Sequence, residues 1–196
     1  MTSNNLDVQI FQLVNQRWTA VWLDKVTPYL VRLGSAIYLT VALGLLVWER
    51  VYYPARHLGL EGVTAALLAI MVAQGTKRLI KRPRPYVVLS QVRRPDPSLF
   101  ISNSRKKGLK PLRVIIKTFF RTSTTSNRSC PSGHIATAVS LAVVIGEHFP
   151  VAAGGAFLYA LVLGYARIYV GVHFPSDILV GVLIGMVSGL FSMWLV

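Results

Sequence analysis

The chain has 196 residues, 53% of them apolar, with 21 Lys and Arg against 7 acids and a net charge of +14. This is too apolar for disorder and unusually apolar for a soluble domain, so a membrane protein is the leading class and a soluble helical bundle the alternative. The charge resembles that of a nucleic-acid binder, but residues 77–128 hold fifteen basic residues and one acid while the rest holds six of each, which points to a local cationic segment and away from nucleic acid.

From the N-terminus, Leu6, Ile10, Val14 and Trp18 recur every four residues with Asn4 or Asn5 available as a cap, so residues 1–28 are expected to form an amphipathic helix at the membrane interface. Ordinary packing is its plain alternative. The first thirty residues lack a basic start followed by an uninterrupted apolar stretch, which predicts a retained N-terminus. Uncharged apolar runs follow at residues 33–48, 62–76, 135–146, 150–166 and 178–196. Several fall short of the roughly 20 residues that cross a bilayer, and a polar turn at each end restores the length. Trp18, Trp22, Trp48, Tyr52, Tyr53 and Trp194 lie near the proposed ends, as interfacial aromatics do. Residues 86–110 read as an irregular loop. Pro111 can open a helix with Leu112, Ile115, Ile116 and Phe119 on one face and Arg113, Lys117 and Arg121 opposite. Such a helix lies in the membrane plane, and the basic residues of 105–121 would attract anionic lipid by about 1 kcal/mol each. A topology signal or a solvated loop explains the same charges. The lone Cys130 excludes an internal disulfide framework and a cysteine-rich metal site. The expected fold is all-α: one polytopic membrane domain over 1–196, with about five transmembrane helices, the N-terminal helix and a basic surface insertion at 86–130.

Threading five crossings in order brings three polar blocks to one face. The first, Lys77 to Pro85, ends an apolar helix, and Lys77, Arg78, Arg82 and Arg84 supply point charges and forked guanidinia for one anion, although flanking charge accounts for such a cluster too. In the second, Ser132 can cap a helix beginning at Gly133, whose missing side chain lets an oxyanion approach the free N–H groups, and His134 falls in the first turn. In the third, Arg167 precedes His173 by six residues, and Asp177, four beyond, can accept the ring N–H and leave the other nitrogen free as nucleophile. A helix cap is the simpler role for Asp177.

Together the blocks resemble the three signatures of the type 2 phosphatidic acid phosphatase superfamily: Lys77 with Arg84-Pro85, then Pro131-Ser132-Gly133-His134, then Ala166-Arg167 with His173 and Asp177. Ala166 stands where the family usually has serine. The resemblance implies that His173 attacks phosphorus, that Asp177 orients it and that His134 protonates the leaving oxygen. Lys77, Arg84, Arg167, Ser132 and Gly133 would bind the phosphate. No metal and no cofactor are expected, since cations occupy the place a divalent ion takes elsewhere. The implied substrate is a lipid phosphate entering from the bilayer, undecaprenyl diphosphate first, with phosphatidylglycerol phosphate, phosphatidic acid and a lipid A phosphate as alternatives. Transfer to another lipid by the same mechanism, or a non-enzymatic protein that binds anionic lipid, are the competing functions. The charge bias of residues 77–128 places this face in the cytoplasm, whereas the resemblance places it on the periplasmic side of the inner membrane; the second is preferred.

Overall fold

In the computed structural model, residues 5–52, 57–94 and 127–196 are described, and their named elements are all helical. Helix α1 (Leu6–Gln12) runs into a π-helical turn, Leu13–Arg17. There follow α2 (Val21–Tyr52), α3 (Leu58–Ile80), the single turn α4 (Pro85–Val88), α5 (Gly133–His148), α6 (Pro150–Tyr169) and α7 (Pro175–Leu195). Three described helices, α3, α6 and α7, are long and apolar enough to cross a membrane.

Helix α5 is central, packed against α3, α6 and α7, and its neighbours meet it with small residues. Ala66 of α3, Ile135, Val139 and Leu141 of α5, and Leu163 of α6 form the largest apolar cluster. The bulky side chains of α6 and α7 point the other way: Val151, Leu161, Leu179, Leu183, Val187 and Trp194 are exposed. An apolar exterior of this extent is unusual for a soluble monomer and normal against lipid, which removes the soluble bundle as a reading. Tight backbone approach does the internal work. A Cβ on Gly185 would lie 2.5 Å from the Ala136 carbonyl oxygen, and one on Gly181 would lie 2.8 Å from that of Ser132. Gly185→Val must therefore push α7 off α5, and overpacking of this kind costs about 1–3 kcal/mol. Thermal unfolding in detergent should show a lowered midpoint, and a native one would show that the two helices are not held this closely.

The N-terminal segment departs from its expected pattern. Asn5 does cap α1, its Oδ1 accepting from Asp7 N–H at 3.0 Å. The buried face, however, is Val8, Phe11 and Val14, whereas Leu6, Ile10 and Trp18 are exposed. The helix packs on the turn before α7, where Phe11 meets Phe174 with ring centroids 5.5 Å apart. The π-helical turn then rotates the chain and buries Asn15. Helix α2 begins inside the segment assigned to the interface. Its charged Asp24 and Lys25 break the hydropathy run without breaking the helix, because hydropathy and backbone hydrogen bonding are separate matters. The expected loop at 86–110 also starts differently, since Pro85 pre-sets a turn of helix through Val88. The basic helix expected from Pro111, and the 105–121 cations with it, lie outside the described residues.

Candidate active site

Three helix ends meet at one face of the bundle. Helix α3 ends at Ile80, and its cap Lys81 takes a left-handed conformation (φ 50°), so the chain turns away one helical turn after Lys77. Residues 82–84 then pair with 127–129: Arg84 N–H donates to the Asn127 carbonyl at 3.1 Å and Ser129 N–H to the Arg82 carbonyl at 2.8 Å. This antiparallel bridge joins the first block to the second and closes the base of the whole basic excursion between them. The second block is tied to the third, because Ser132 N–H donates to the Asp177 carbonyl at 3.0 Å.

The third block is shaped by a tight turn. Helix α6 ends at Tyr169, and Gly171 takes φ +79°, where a Cβ would lie 2.5 Å from Val92 Cγ1; glycine is therefore required twice over. The turn carries His173 and Phe174, both fully buried, into α7. Arg167 Nη2 lies 3.1 Å from His173 Nε2. A guanidinium can only donate, so Nε2 accepts, and the ring proton sits on Nδ1. That nitrogen is 3.6 Å from Asp177 Oδ2.

The polar and charged residues of the three signatures meet here, whereas Arg78, named with the first block, is exposed. Arg84, Arg167, Ser132, His173 and Asp177 are buried, while Lys77, Gly133 and His134 are half-buried and form the open side. Arg167, His173, Lys77 and Arg84 all lie close enough to His134 to act on its charge. Burial, and after it the charges of Arg167, Arg84 and Lys77, holds the His173 imidazole well below the usual histidine range. A neutral ring facing three cations can act as a nucleophile toward an anion held there.

Two expectations need correction. Ser132 occupies the cap position before α5, but its hydroxyl makes no capping bond, and its buried Oγ has no hydrogen-bond partner among the described residues. Its backbone N–H donates to the Asp177 carbonyl. Asp177 is also not committed to His173 alone: Oδ2 accepts from Phe174 N–H at 2.8 Å and Oδ1 from Arg82 Nη1 at 3.0 Å, both closer than the ring. The sequence reading left Arg82 in the general cationic cluster and passed over Asp7, whose carboxylate accepts from Arg82 Nη2 at 2.5 Å. Nothing local marks Asp7, which lies 75 residues from its partner. Among the described residues no group of His, Cys, Asp and Glu is arranged to hold a metal.

Residues 59–196 match the PAP2 superfamily. The chain belongs to this family. An Aquifex aeolicus protein, LpxE, shares 27% identity and superposes with a TM-score of 0.73 over 98% of this chain and 97% of its own. A transmembrane PAP2 type phosphatidylglycerolphosphate phosphatase from Bacillus subtilis, 20% identical, superposes with a TM-score of 0.65 over 96% of this chain and 83% of its own. A Sulfolobus acidocaldarius undecaprenyl-diphosphatase is 24% identical over 183 residues, 91% of this chain and 73% of that one. The PAP2 match and the apolar exterior agree on a membrane protein. They also agree with an all-helical phosphatase fold, as the signatures implied.

Proposed function

We propose that this PAP2 protein is a lipid phosphatase that works without metal through a phosphohistidine on His173. The observation that carries the reading is the neutral imidazole held between a cation at Nε2 and a carboxylate behind Nδ1. As the phosphoryl group arrives, its oxygen takes the N–H that Arg167 gives to Nε2, which frees the lone pair for attack on phosphorus. Arg167, Arg84 and Lys77, with the N–H groups at the start of α5, surround the transferring oxygens; preorganised charge of this kind usually supplies the largest share of catalysis. His134, on the half-buried side, takes up a proton once the anionic substrate is bound and gives it to the leaving oxygen. The bond from phosphorus to the leaving group breaks as that from Nε2 forms, and Asp177 stabilises the resulting imidazolium. Water then attacks phosphorus, His134 takes its proton, and His173 is released with inorganic phosphate.

The lipid-facing exterior and the half-buried rim support a substrate that enters from the bilayer, and the five long helices are read as five crossings. Undecaprenyl diphosphate is placed first, consistent with the name of the archaeal relative. Phosphatidylglycerol phosphate, phosphatidic acid and a lipid A phosphate follow. The site is placed on the periplasmic side of the inner membrane, and residues 105–121 are assigned to anionic lipid. Purified protein in detergent should release phosphate from this panel with EDTA present, and the ranking names the substrate. Activity that needs an added divalent ion contradicts the mechanism, and headgroup binding without turnover contradicts the enzyme. A cysteine placed at Ser104 and probed from either side of the membrane reads the orientation.

A further inference from the structure

Behind the histidine lies a second carboxylate that the mechanism so far does not use. Asp7, in the first turn of α1, reaches the start of α7: its Oδ1 accepts from Ser176 N–H at 2.9 Å and its Oδ2 from the Ser176 hydroxyl at 2.7 Å. The same Oδ2 accepts from Arg82 Nη2 at 2.5 Å. Arg82 turns its other nitrogen, Nη1, to Ser176 Oγ at 2.6 Å and to Asp177 Oδ1 at 3.0 Å, and its guanidinium lies 4.2 Å over the Phe174 ring. Asp177 is fully buried, and Asp7 and Arg82 are partly buried.

The two contacts of Arg82 are unequal, and this has a chemical consequence. An arginine facing one carboxylate would close on it with both arms and cancel its charge. Here Asp7 takes one arm at the shorter distance and leaves Asp177 with a single, longer bond. The row of Asp7, Arg82 and Asp177 carries one net negative charge on the Nδ1 side of His173, opposite the positive Arg167 on the Nε2 side. That charge is what the imidazolium of a phosphohistidine requires.

We propose that Asp7 and Arg82 are positioning residues for the Asp177 and His173 pair: Arg82 orients the buried carboxylate through one bond, and Asp7 limits it to that bond so that the carboxylate keeps its charge for the ring. The inference rests on the phosphatase reading, and it gives α1 a role in the reaction beyond packing. Asn15 supports the same turn from the far side, donating to the Tyr169 carbonyl at 2.7 Å and pairing with the backbone of Arg93. The N-terminal segment thus grips the nucleophile's turn at both ends.

Asp7→Asn separates the charge from the shape, since an amide oxygen still accepts from Ser176 N–H. The variant should keep its thermal midpoint and its KM within twofold, and lose about tenfold in kcat, the size of one charge-assisted hydrogen bond. Arg82→Gln should lose at least as much, Arg82→Lys should recover part of it, and Asp7→Asn combined with Arg82→Gln should be no worse than Arg82→Gln alone, because Asp7 acts through the arginine. A kcat equal to wild type in Asp7→Asn, or losses that simply multiply in the double variant, overturns the proposal. An independent readout is ¹⁵N NMR of labelled histidine in detergent, assigned to His173 by its loss in His173→Ala. The ring should be the Nδ1–H form in the wild type and shifted in Arg82→Gln and Asp7→Asn. If the wild-type protein turns over no lipid phosphate, the phosphatase reading fails, and the NMR result alone decides the positioning role: an unshifted His173 signal overturns it.

Discussion

His173→Ala is expected to remove turnover by about 10⁴-fold or more, the scale on which loss of a covalent nucleophile is felt. The ring is fully buried, Arg167 contacts its Nε2 and Asp177 faces its Nδ1, and no other neutral nucleophile among the described residues stands in the same position. His134 cannot substitute, because it sits on the half-buried rim of the site. The variant should stay folded, since the turn is held by Phe11 against Phe174 and by Asn15 against Tyr169. The measurement is trapping with ³²P-labelled substrate quenched in alkaline detergent: wild type should carry an acid-labile, alkali-stable phosphoryl group and the variant none. Retained labelling in His173→Ala would falsify the assignment. The ring's low proton affinity adds a pH signature. It stays neutral in the fold while an unfolded chain's histidine takes a proton below about pH 6.5, so its effect on stability is absent above that value and grows as pH falls. Wild type should therefore lose more stability on acidification than His173→Ala does, and the acid limb of kcat/KM should lie below pH 6.5.

The second large effect is expected from Asp177→Asn, about 10³-fold in kcat with little change in KM, since the group acts through His173 and does not touch phosphate. An amide can still accept from Phe174 N–H through its oxygen, but it brings no charge to Arg82 Nη1 or to the ring. Removing one member of a buried ion pair is also destabilising, by about 3 kcal/mol, because the partner is left uncompensated. Asp7 remains beside Arg82 and softens this loss. Rapid-quench kinetics should show slowed phosphoenzyme formation; near-native formation would mean that the histidine works unaided.

Much of the site was legible before any coordinates because its residues sit at fixed spacing inside short blocks. Six residues from Arg167 to His173 and four more to Asp177 describe one turn between two helices, and that turn is local. Convergence of the blocks followed from alternating the direction of apolar helices. What was not legible is long-range and polar. The partnership of Asp7 with Arg82 depends on where α1 docks, and α1 docks through Val8 and Phe11, which lie outside the stripe of Leu6, Ile10, Val14 and Trp18; of that stripe only Val14 is buried. A stripe of apolar residues marks a buried face only when water is the outside; next to lipid, both faces can be apolar and periodicity loses its meaning. The Ser132 hydroxyl illustrates another limit: cap position can be read from Pro-Ser-Gly, but whether the hydroxyl makes the capping bond cannot.

The pairing of residues 82–84 with 127–129 gives the basic excursion a common doorway. Its anchor strands are hydrogen-bonded to each other and to the catalytic frame. Lengthening a stretch of chain whose ends are already pinned adds closure entropy only as the logarithm of its length. Residues inserted or removed between 94 and 127 should therefore leave the two paired ends in register with the frame they join.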